Sequence, residues 1–410
     1  MRLLQCPLLA ICLAIAACTQ PPREEVLLRE ALSELERIKT AEYRVNSTAY
    51  SPEDTLYKQW YTREVKSYEN PSDTTIGVSW VKMSIKGDSK EFLSAYDGEI
   101  HATSYHEHKG ILLDDFTTRN LPFRPMTSPF FFYARSIVDY TLTTTDSIEW
   151  SVSESEDIYH LSLTIHEPNQ VEFFGRAYQM PELPEAMRAT HDPTSHYQIW
   201  FDKSTNLPKR IYREMSTNVS EQEIIGDAKF NTLSLDDLRI EDYYPEGYEI
   251  RMKGAKKSAK AATTTDLIGK KAPNFTLEKW NGETVELNKV ESRVTLLNFT
   301  GIGCGPCMLA IPMLSEMEKK YSSKELQIIS IESWGKGANS LQNYAQLHNI
   351  EYSFLVGKQS VLGDYHISGV PVFVLLDDSH TIRKVYNGYD PESSATQIKN
   401  NVRRLQGGEL

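Results

Sequence analysis

The chain has 410 residues, of which 40% are hydrophobic and 24% are charged, a composition typical of globular proteins that bury a core. A length of this order suits two domains. Its 56 acidic and 44 basic residues give a formal net charge of −12. Because phosphate backbones are bound by basic surfaces, this balance argues against nucleic acid as a partner.

The first residues have the pattern of an export signal. A short positive end precedes a continuous apolar run over residues 8–17, which is too short to span a bilayer as a mature helix. Small residues then precede Cys18, which resembles the bacterial lipobox, where the cysteine becomes a lipid-bearing N-terminus. We therefore expect residues 1–17 to be a lipoprotein signal peptide and residues 18–22 a tether, with lipid on Cys18. An ordinary signal with a stray cysteine is the alternative.

Residues 23–252 are predicted to form a mostly-β, α+β domain. Residues 22–40 have apolar side chains at helical spacing, and from about residue 43 the apolar period changes to two, which indicates strands. Asp97–Gly98 is typical of a hairpin turn. One helix followed by many strands predicts an antiparallel, half-barrel-like sheet with a helix. This region resembles the half-barrels of periplasmic lipoprotein carriers, which implies a ligand- or partner-binding role but assigns it to no single residue.

Three stretches of this region carry more specific expectations. Alternation in the segment WVKMSIKG predicts a strand with Val81 on its apolar face and Lys82 on its polar face. The aromatic run Phe130–Tyr133 cannot face one way on a strand, so we expect core packing with one exposed edge; a hydrophobic groove is the alternative. His106 and His108 would share a strand face. Since zinc needs about four ligands, we expect exposed histidines and no metal site.

The C-terminal part has a different pattern. Residues 253–265 are rich in Lys, Ala and Thr, which predicts a solvated linker, although its lysines could instead touch an anionic membrane surface. Strand and helix patterns then alternate over residues 266–410, which predicts an α/β domain with a mixed sheet. Residues 294–300 are predicted to form a strand and residues 307–322 a helix kinked at Pro312.

Cys304, Gly305, Pro306 and Cys307 lie at the junction of this strand and helix. A cysteine at a helix N-terminus has its thiolate stabilised by unpaired N–H groups, and a second cysteine three residues later lies within bonding reach. Pro306 fits because the N–H it lacks would be unpaired anyway. The other three cysteines of the chain belong to the predicted signal and lipid position, so we expect a working pair. A purely structural disulfide is the alternative; zinc would need more ligands, and a peroxidase a lone reactive cysteine.

With this motif, the segment resembles the TlpA/ResA-type thioredoxin-like proteins, which are membrane-tethered thiol–disulfide oxidoreductases. The resemblance covers about residues 266–405. It rests on three motifs, which are APNFTL, CGPC after a strand, and GVP before a strand. It implies a thioredoxin-like fold, a cis peptide bond before Pro371 opposite the disulfide, and backbone at Val370 offered to a bound peptide. It also implies that Cys304 attacks a partner disulfide and Cys307 resolves the mixed disulfide.

Three positions depart from the pattern of these relatives. Gly303 stands where many have Trp, Ala310 where some have Glu, and Asn298 where thioredoxin has a buried Asp. The usual helper that protonates the resolving thiol is therefore missing at these positions. Glu332, at the end of the predicted strand LQIISIE, is the candidate acid or base, because strand ends face that edge of the sheet. A solvated loop acid is the alternative.

We therefore expect a lipid-anchored envelope protein that faces the periplasm and reduces disulfides of exported client proteins. Such an enzyme takes part in cell redox homeostasis, needs an upstream thiol electron donor, and uses no cofactor beyond the Cys304–Cys307 disulfide. The residue after Cys18 is Thr19 and not an acid. An acid there would resemble an inner-membrane retention signal, so its absence slightly favours the outer membrane. The alternative is a lipid- or partner-binding envelope protein whose cysteine pair only senses redox state.

Overall fold

The computed structural model describes residues 21–52, 58–118, 121–182, 192–255 and 262–409. The predicted signal peptide, the lipidation site Cys18 and about half of the predicted linker lie outside these ranges. No helix within the ranges is both long enough and apolar enough to cross a membrane.

The N-terminal region is dominated by one long sheet. Its strands are β1 (Thr40–Tyr50), β2 (Gln59–Glu69), β3 (Val78–Lys86), β4 (Ser89–Tyr96), β5 (His101–Tyr105), β6 (Gly110–Asp114), β7 (Ile148–Glu154), β8 (Ile158–Ile165), β9 (Val171–Phe173), β10 (Ala177–Gln179), β11 (Ser195–Asp202), β12 (Leu207–Met215), β13 (Asn218–Phe230) and β14 (Glu249–Met252). Twelve of these described strands join in the order β14-β6-β5-β4-β3-β2-β1-β13-β12-β11-β8-β7, and β9 pairs with β10. Neighbours are antiparallel except β14 and β6, so the expected antiparallel sheet is present, with the hairpin at Asp97–Gly98 between β4 and β5.

Within the described residues, two helices cover one face of this sheet, where the sequence predicted one. Helix α1 (Arg23–Glu36) was expected, whereas α2 (Phe130–Thr143) corrects the expectation of a strand at Phe130–Tyr133. All four aromatic side chains of that run are buried. Pro129 precedes the first turn of α2, where it costs no hydrogen bond. A helix enclosed by a sheet and a second helix can be apolar around most of its circumference, which hides the helical period in the sequence.

Strand β3 is buried on both faces, which corrects the expected placement of Lys82. Trp80 belongs to the core beneath the helices, and Val81, on the opposite face, packs in a separate cluster with Leu238 and Ile240. Because the segment after β13 covers this outer face, both faces of β3 are occupied. Lys82 therefore lines a cavity on the helix side and does not lie on a solvated face.

The histidines His106 and His108 do not lie on a strand, which corrects a second expectation. They form a short 3-10 turn between β5 and β6, and His106 Nδ1 lies 2.7 Å from the hydroxyl of Tyr248. Across the ranges described above, no cluster of three or more His, Cys, Asp or Glu side chains could hold a metal ion.

The C-terminal region is a second, smaller sheet with helices on both faces. Its elements are β15 (Thr276–Lys279), β16 (Thr284–Glu286), β17 (Val294–Thr300), α3 (Gly305–Lys320), β18 (Leu326–Glu332), α4 (Ala338–Leu347), β19 (Ser353–Val356), α5 (Gln359–Asp364), β20 (Val372–Asp377), β21 (Ile382–Asn387) and α6 (Ser393–Gln406). The strand order is β16-β15-β19-β18-β17-β20-β21, with β17, β18 and β19 parallel. Side chains of α3 and α6 pack on one face and those of α5 on the other.

The pairing of three strands brings the predicted site residues to one edge of this sheet. Thr300, the last residue of β17, is paired with Glu332, the last residue of β18. Strand β20 runs antiparallel to β17 and begins at Val372, which is paired with Phe299. The start of α3, the end of β18 and the residues before β20 therefore meet, although they are far apart in the chain.

Candidate active site

The two cysteines of the motif form a disulfide at the N-terminus of α3. Cys304 is the N-cap residue, its Cα lies 5.2 Å from that of Cys307, and its sulfur accepts a hydrogen bond from the Cys307 N–H at 3.3 Å. Cys304 is 6% exposed and Cys307 2%. Cys304 thus sits where the helix N-terminus stabilises a thiolate once the disulfide is reduced, and Cys307 is shielded behind it.

The segment before β20 lies opposite the disulfide. The peptide bond between Val370 and Pro371 is cis, as the resemblance implies. The carbonyl oxygen of Val370 lies 4.0 Å from the sulfur of Cys304. Pro371 is buried, and its carbonyl accepts a hydrogen bond from the Gly388 N–H at 2.8 Å, which ties this segment to the end of β21. The Val370 backbone is therefore beside the sulfur that a bound peptide would approach.

Glu332 is a buried carboxyl group beside the disulfide loop, not a solvated loop acid. It is 1% exposed, and its Oε2 accepts hydrogen bonds from the backbone N–H groups of Trp334 at 3.0 Å and Lys336 at 2.8 Å. Burial raises its pKa, while the hydrogen bonds from the Lys336 and Trp334 backbone oppose the shift. Oε1 has no hydrogen-bond partner among the described atoms. Because Thr300, which is paired with Glu332, is four residues before Cys304, this residue adjoins the loop that carries the disulfide.

Asn298 occupies the middle of β17 as a neutral polar residue. It is 3% exposed, and its Nδ2 donates a hydrogen bond to the Ser330 hydroxyl at 2.9 Å. Its Oδ1 finds no partner in the described part of the chain. An amide cannot exchange a proton near neutral pH, and Ala310 on α3 is a buried apolar residue. Of the positions considered from the sequence, only Glu332 brings an ionisable group to this side of the disulfide.

A cleft of about 350 Å³ separates the disulfide loop from the N-terminal sheet. Ile302, Gly303 and Trp334 line it from the C-terminal side, and the end of β1 and the turn before β13 line it from the other. Trp334 is 51% exposed, and a Cβ added to Gly301 would lie 2.5 Å from its ring. Trp334 was not among the site residues predicted from the sequence; the signal for it is an aromatic residue in the glycine-containing segment SWGKG, directly after the strand that ends at Glu332.

Gly303, the position where many relatives have Trp, has a φ of +81°, in the left-handed region that favours glycine. We expect Gly303→Ala to destabilise the protein by about 1 kcal/mol, because a Cβ is strained in this conformation. Gly363, in α5, has no neighbour within 4 Å of an added Cβ, so Gly363→Ala should leave stability unchanged or raise it. Urea unfolding of the two variants measures this difference, and equal midpoints would contradict it.

The C-terminal region is similar to known proteins. Residues 268–385 match the model of the AhpC/TSA family. A thiol-disulfide oxidoreductase ResA of Bacillus cereus is 28% identical over 120 residues, which are 29% of this chain and 69% of that protein. Thioredoxin-like protein YneN of Bacillus subtilis (strain 168) is 26% identical over 122 residues, 29% of this chain and 71% of that protein. A crystal structure of a thiol:disulfide interchange protein DsbE from Chlorobium tepidum has 23% identity and a TM-score of 0.32, and covers 34% of this chain and 98% of that one. The family match and the two curated relatives show that the C-terminal region of this chain is a thioredoxin-like domain of the thiol–disulfide oxidoreductase kind.

Proposed function

We propose that this protein reduces disulfides of exported client proteins at the cell envelope, held to the membrane by a lipid on Cys18. The observation that carries the redox part of the proposal is the Cys304–Cys307 disulfide at the start of α3, with the Val370 carbonyl 4.0 Å from the Cys304 sulfur. The predicted signal and lipobox supply the location, with the outer membrane slightly favoured over the inner membrane.

The reaction transfers two electrons from the reduced pair to the client. The Cys304 thiolate attacks one sulfur of the client disulfide, a mixed disulfide forms, and the other client sulfur leaves as a thiolate that takes up a proton. The Cys307 thiolate then attacks the Cys304 sulfur, which restores the Cys304–Cys307 disulfide and releases the second client thiol. An upstream thiol donor must reduce the pair again before the next turnover.

We assign to Glu332 the proton transfer that the second step needs. Cys307 is buried and must lose its proton to attack, and Glu332 is a buried carboxyl whose raised pKa lets it take up a proton more readily than an exposed acid. The hydrogen bonds that it accepts from the Trp334 and Lys336 N–H groups, and the pairing of Glu332 with Thr300, keep it next to the disulfide loop. The role stands on this placement together with the absence of an acid at positions 298 and 310.

The N-terminal region is proposed to hold the client above the disulfide. It has its own hydrophobic core, separate from that of the C-terminal sheet, which supports limits of 23–252 for this domain, 253–265 for the linker and 266–410 for the thioredoxin-like domain. The turns at the ends of β1 and β12 form one wall of the cleft beside Gly303. A peptide entering this cleft would touch both regions.

The direction of electron transfer and the disulfide-reducing activity are tested together on the full chain. We expect the Cys304–Cys307 pair to have a reduction potential near about −250 mV or below, and the reduced protein to reduce insulin disulfides with a thiol donor present. A potential nearer about −120 mV would make the pair an oxidant and contradict the direction. Failure to turn over insulin at any potential would favour a structural disulfide or a redox sensor.

A further inference from the structure

A second cavity lies in the N-terminal region, between the sheet and the start of α2. It has a volume of about 270 Å³ and is lined by residues of β1, β2, β3, β12 and β13 and by the segment that leads into α2. Three of its lining side chains are basic: Arg63 on β2, Lys82 on β3 and Arg213 on β12. None of the described residues that line it is acidic. The cavity is therefore positively charged.

Only one of these three cations has an acidic partner within the described residues. Arg213 forms an ion pair with Glu172. Arg63 and Lys82 form no ion pair there; the guanidinium of Arg63 lies 4.8 Å from the centre of the Tyr61 ring, and the ammonium of Lys82 lies 4.8 Å from that of Trp80. Burial, and after it the charge of Arg63, lowers the pKa of Lys82 to about 7. Two uncompensated cations in a partly enclosed space are costly unless an anion joins them.

Hydrogen-bond donors without partners surround the same space. Ser128 is 3% exposed, lines the cavity, and its hydroxyl finds no partner among the described atoms. The Nε atoms of Arg63 and Arg213 are also buried and unpaired there. The first N–H of α2, that of Phe130, is already satisfied, because it donates a hydrogen bond to the Tyr43 hydroxyl at 2.8 Å, so the unpaired donors are the side chains of Ser128, Arg63 and Arg213. Buried donors of this kind are normally satisfied, so they indicate a missing acceptor.

We propose that this cavity binds a phosphate group, either as a free ion or as the headgroup of a small lipid. A phosphate carries up to two negative charges and offers more acceptor oxygens than a carboxylate, which matches the cations Arg63 and Lys82, the buried N–H of Arg213 and the Ser128 hydroxyl. Tyr43, Val45, Val65 and Phe130 line the cavity as well and provide apolar contacts beside the charged groups. This site is separate from the disulfide and goes beyond the redox function.

Binding is tested on the full chain, purified in detergent without phosphate, with two probes: inorganic phosphate and a short-chain lysophosphatidic acid. We expect at least one probe to bind, and Lys82→Met to weaken it at least about tenfold. Lys86→Met is the matched control, because Lys86 lies on the same strand but is exposed and paired with Glu91 at 2.9 Å. Binding of phosphate indicates a free ion, and binding of the lysolipid alone indicates a lipid headgroup. If neither probe binds, or if both lysine variants bind alike, the proposal is wrong.

A second measurement does not depend on choosing the right probe. Because Lys82 has no anionic partner in the described structure, Lys82→Met should raise the urea midpoint of the ligand-free protein, while Lys86→Met should not. A lowered midpoint for Lys82→Met would contradict the uncompensated charge on which the proposal rests. Arg63→Gln provides an independent variant of the same site. Insulin reduction should be unchanged in all three variants, which separates failure of this proposal from failure of the redox function.

Discussion

Replacing Cys304 by Ser is expected to lower the rate of insulin reduction by at least about a hundredfold, because the attacking thiolate is lost. Cys304 is the N-cap residue of α3 and is 6% exposed, whereas Cys307 lies inside the first turn and is 2% exposed. Cys307→Ser should instead leave the attack intact and remove the resolving step, so that a mixed disulfide with the client accumulates. Turnover of reduced protein and non-reducing gels with a disulfide-bonded client measure the two effects.

Both cysteine variants lose the disulfide, so each is a control for the other. If Cys307→Ser rather than Cys304→Ser abolished adduct formation, the assignment of the two cysteines would be reversed. The sensor alternative makes a different prediction, since it places the main activity in residues 23–252. In that case Cys304→Ser would leave the phenotype of the cell unchanged, and the phenotype would be lost only when the N-terminal region is removed.

Glu332→Gln is expected to slow the release of the mixed disulfide by about a hundredfold near neutral pH, because glutamine cannot take the proton from Cys307. Its side-chain oxygen can still accept the hydrogen bonds from Trp334 and Lys336, so the loop should keep its conformation. Glu278→Gln, an exposed acid on β15, is the matched control. Stopped-flow measurement of single turnovers separates formation of the adduct from its resolution, and an unchanged resolution rate would contradict the role.

The same variant tests the burial of Glu332 through the pH dependence of stability. Burial raises the pKa of Glu332 above its ordinary value of 4.5, so the folded state holds the proton more tightly than the unfolded state. The contribution of Glu332 to the free energy of unfolding is therefore fully present below pH 4.5, and it is lost as the pH rises through the raised pKa. Glu332→Gln stays neutral and should lose this decrease. Urea midpoints of the wild-type protein and of Glu332→Gln are measured across the pH range. An equal decrease of the midpoint with pH in both proteins would contradict the assignment.

The local chemistry of the redox motif could be predicted from the sequence alone. Residues 294–300 hold four apolar side chains without strict alternation, and the structure shows a strand, β17, with all seven side chains buried. Pro306 marks a helix start, and two cysteines three residues apart lie one turn apart in any helix that starts there. These features depend on neighbours in the chain, so spacing and residue type were enough to locate the disulfide.

Only the tertiary structure decided which face of an element was covered and by what. Phe130–Tyr133 is helical because α1 and the sheet enclose it, and Lys82 lies in a cavity because the segment after β13 covers the opposite face of β3. The sequence pattern showed Glu332 only as an acid at a strand end, and its burial beside the disulfide loop depends on the parallel pairing of β18 with β17. Each of these outcomes depends on contacts between residues distant in the chain, and a periodic pattern gives only the period of a face, not its environment.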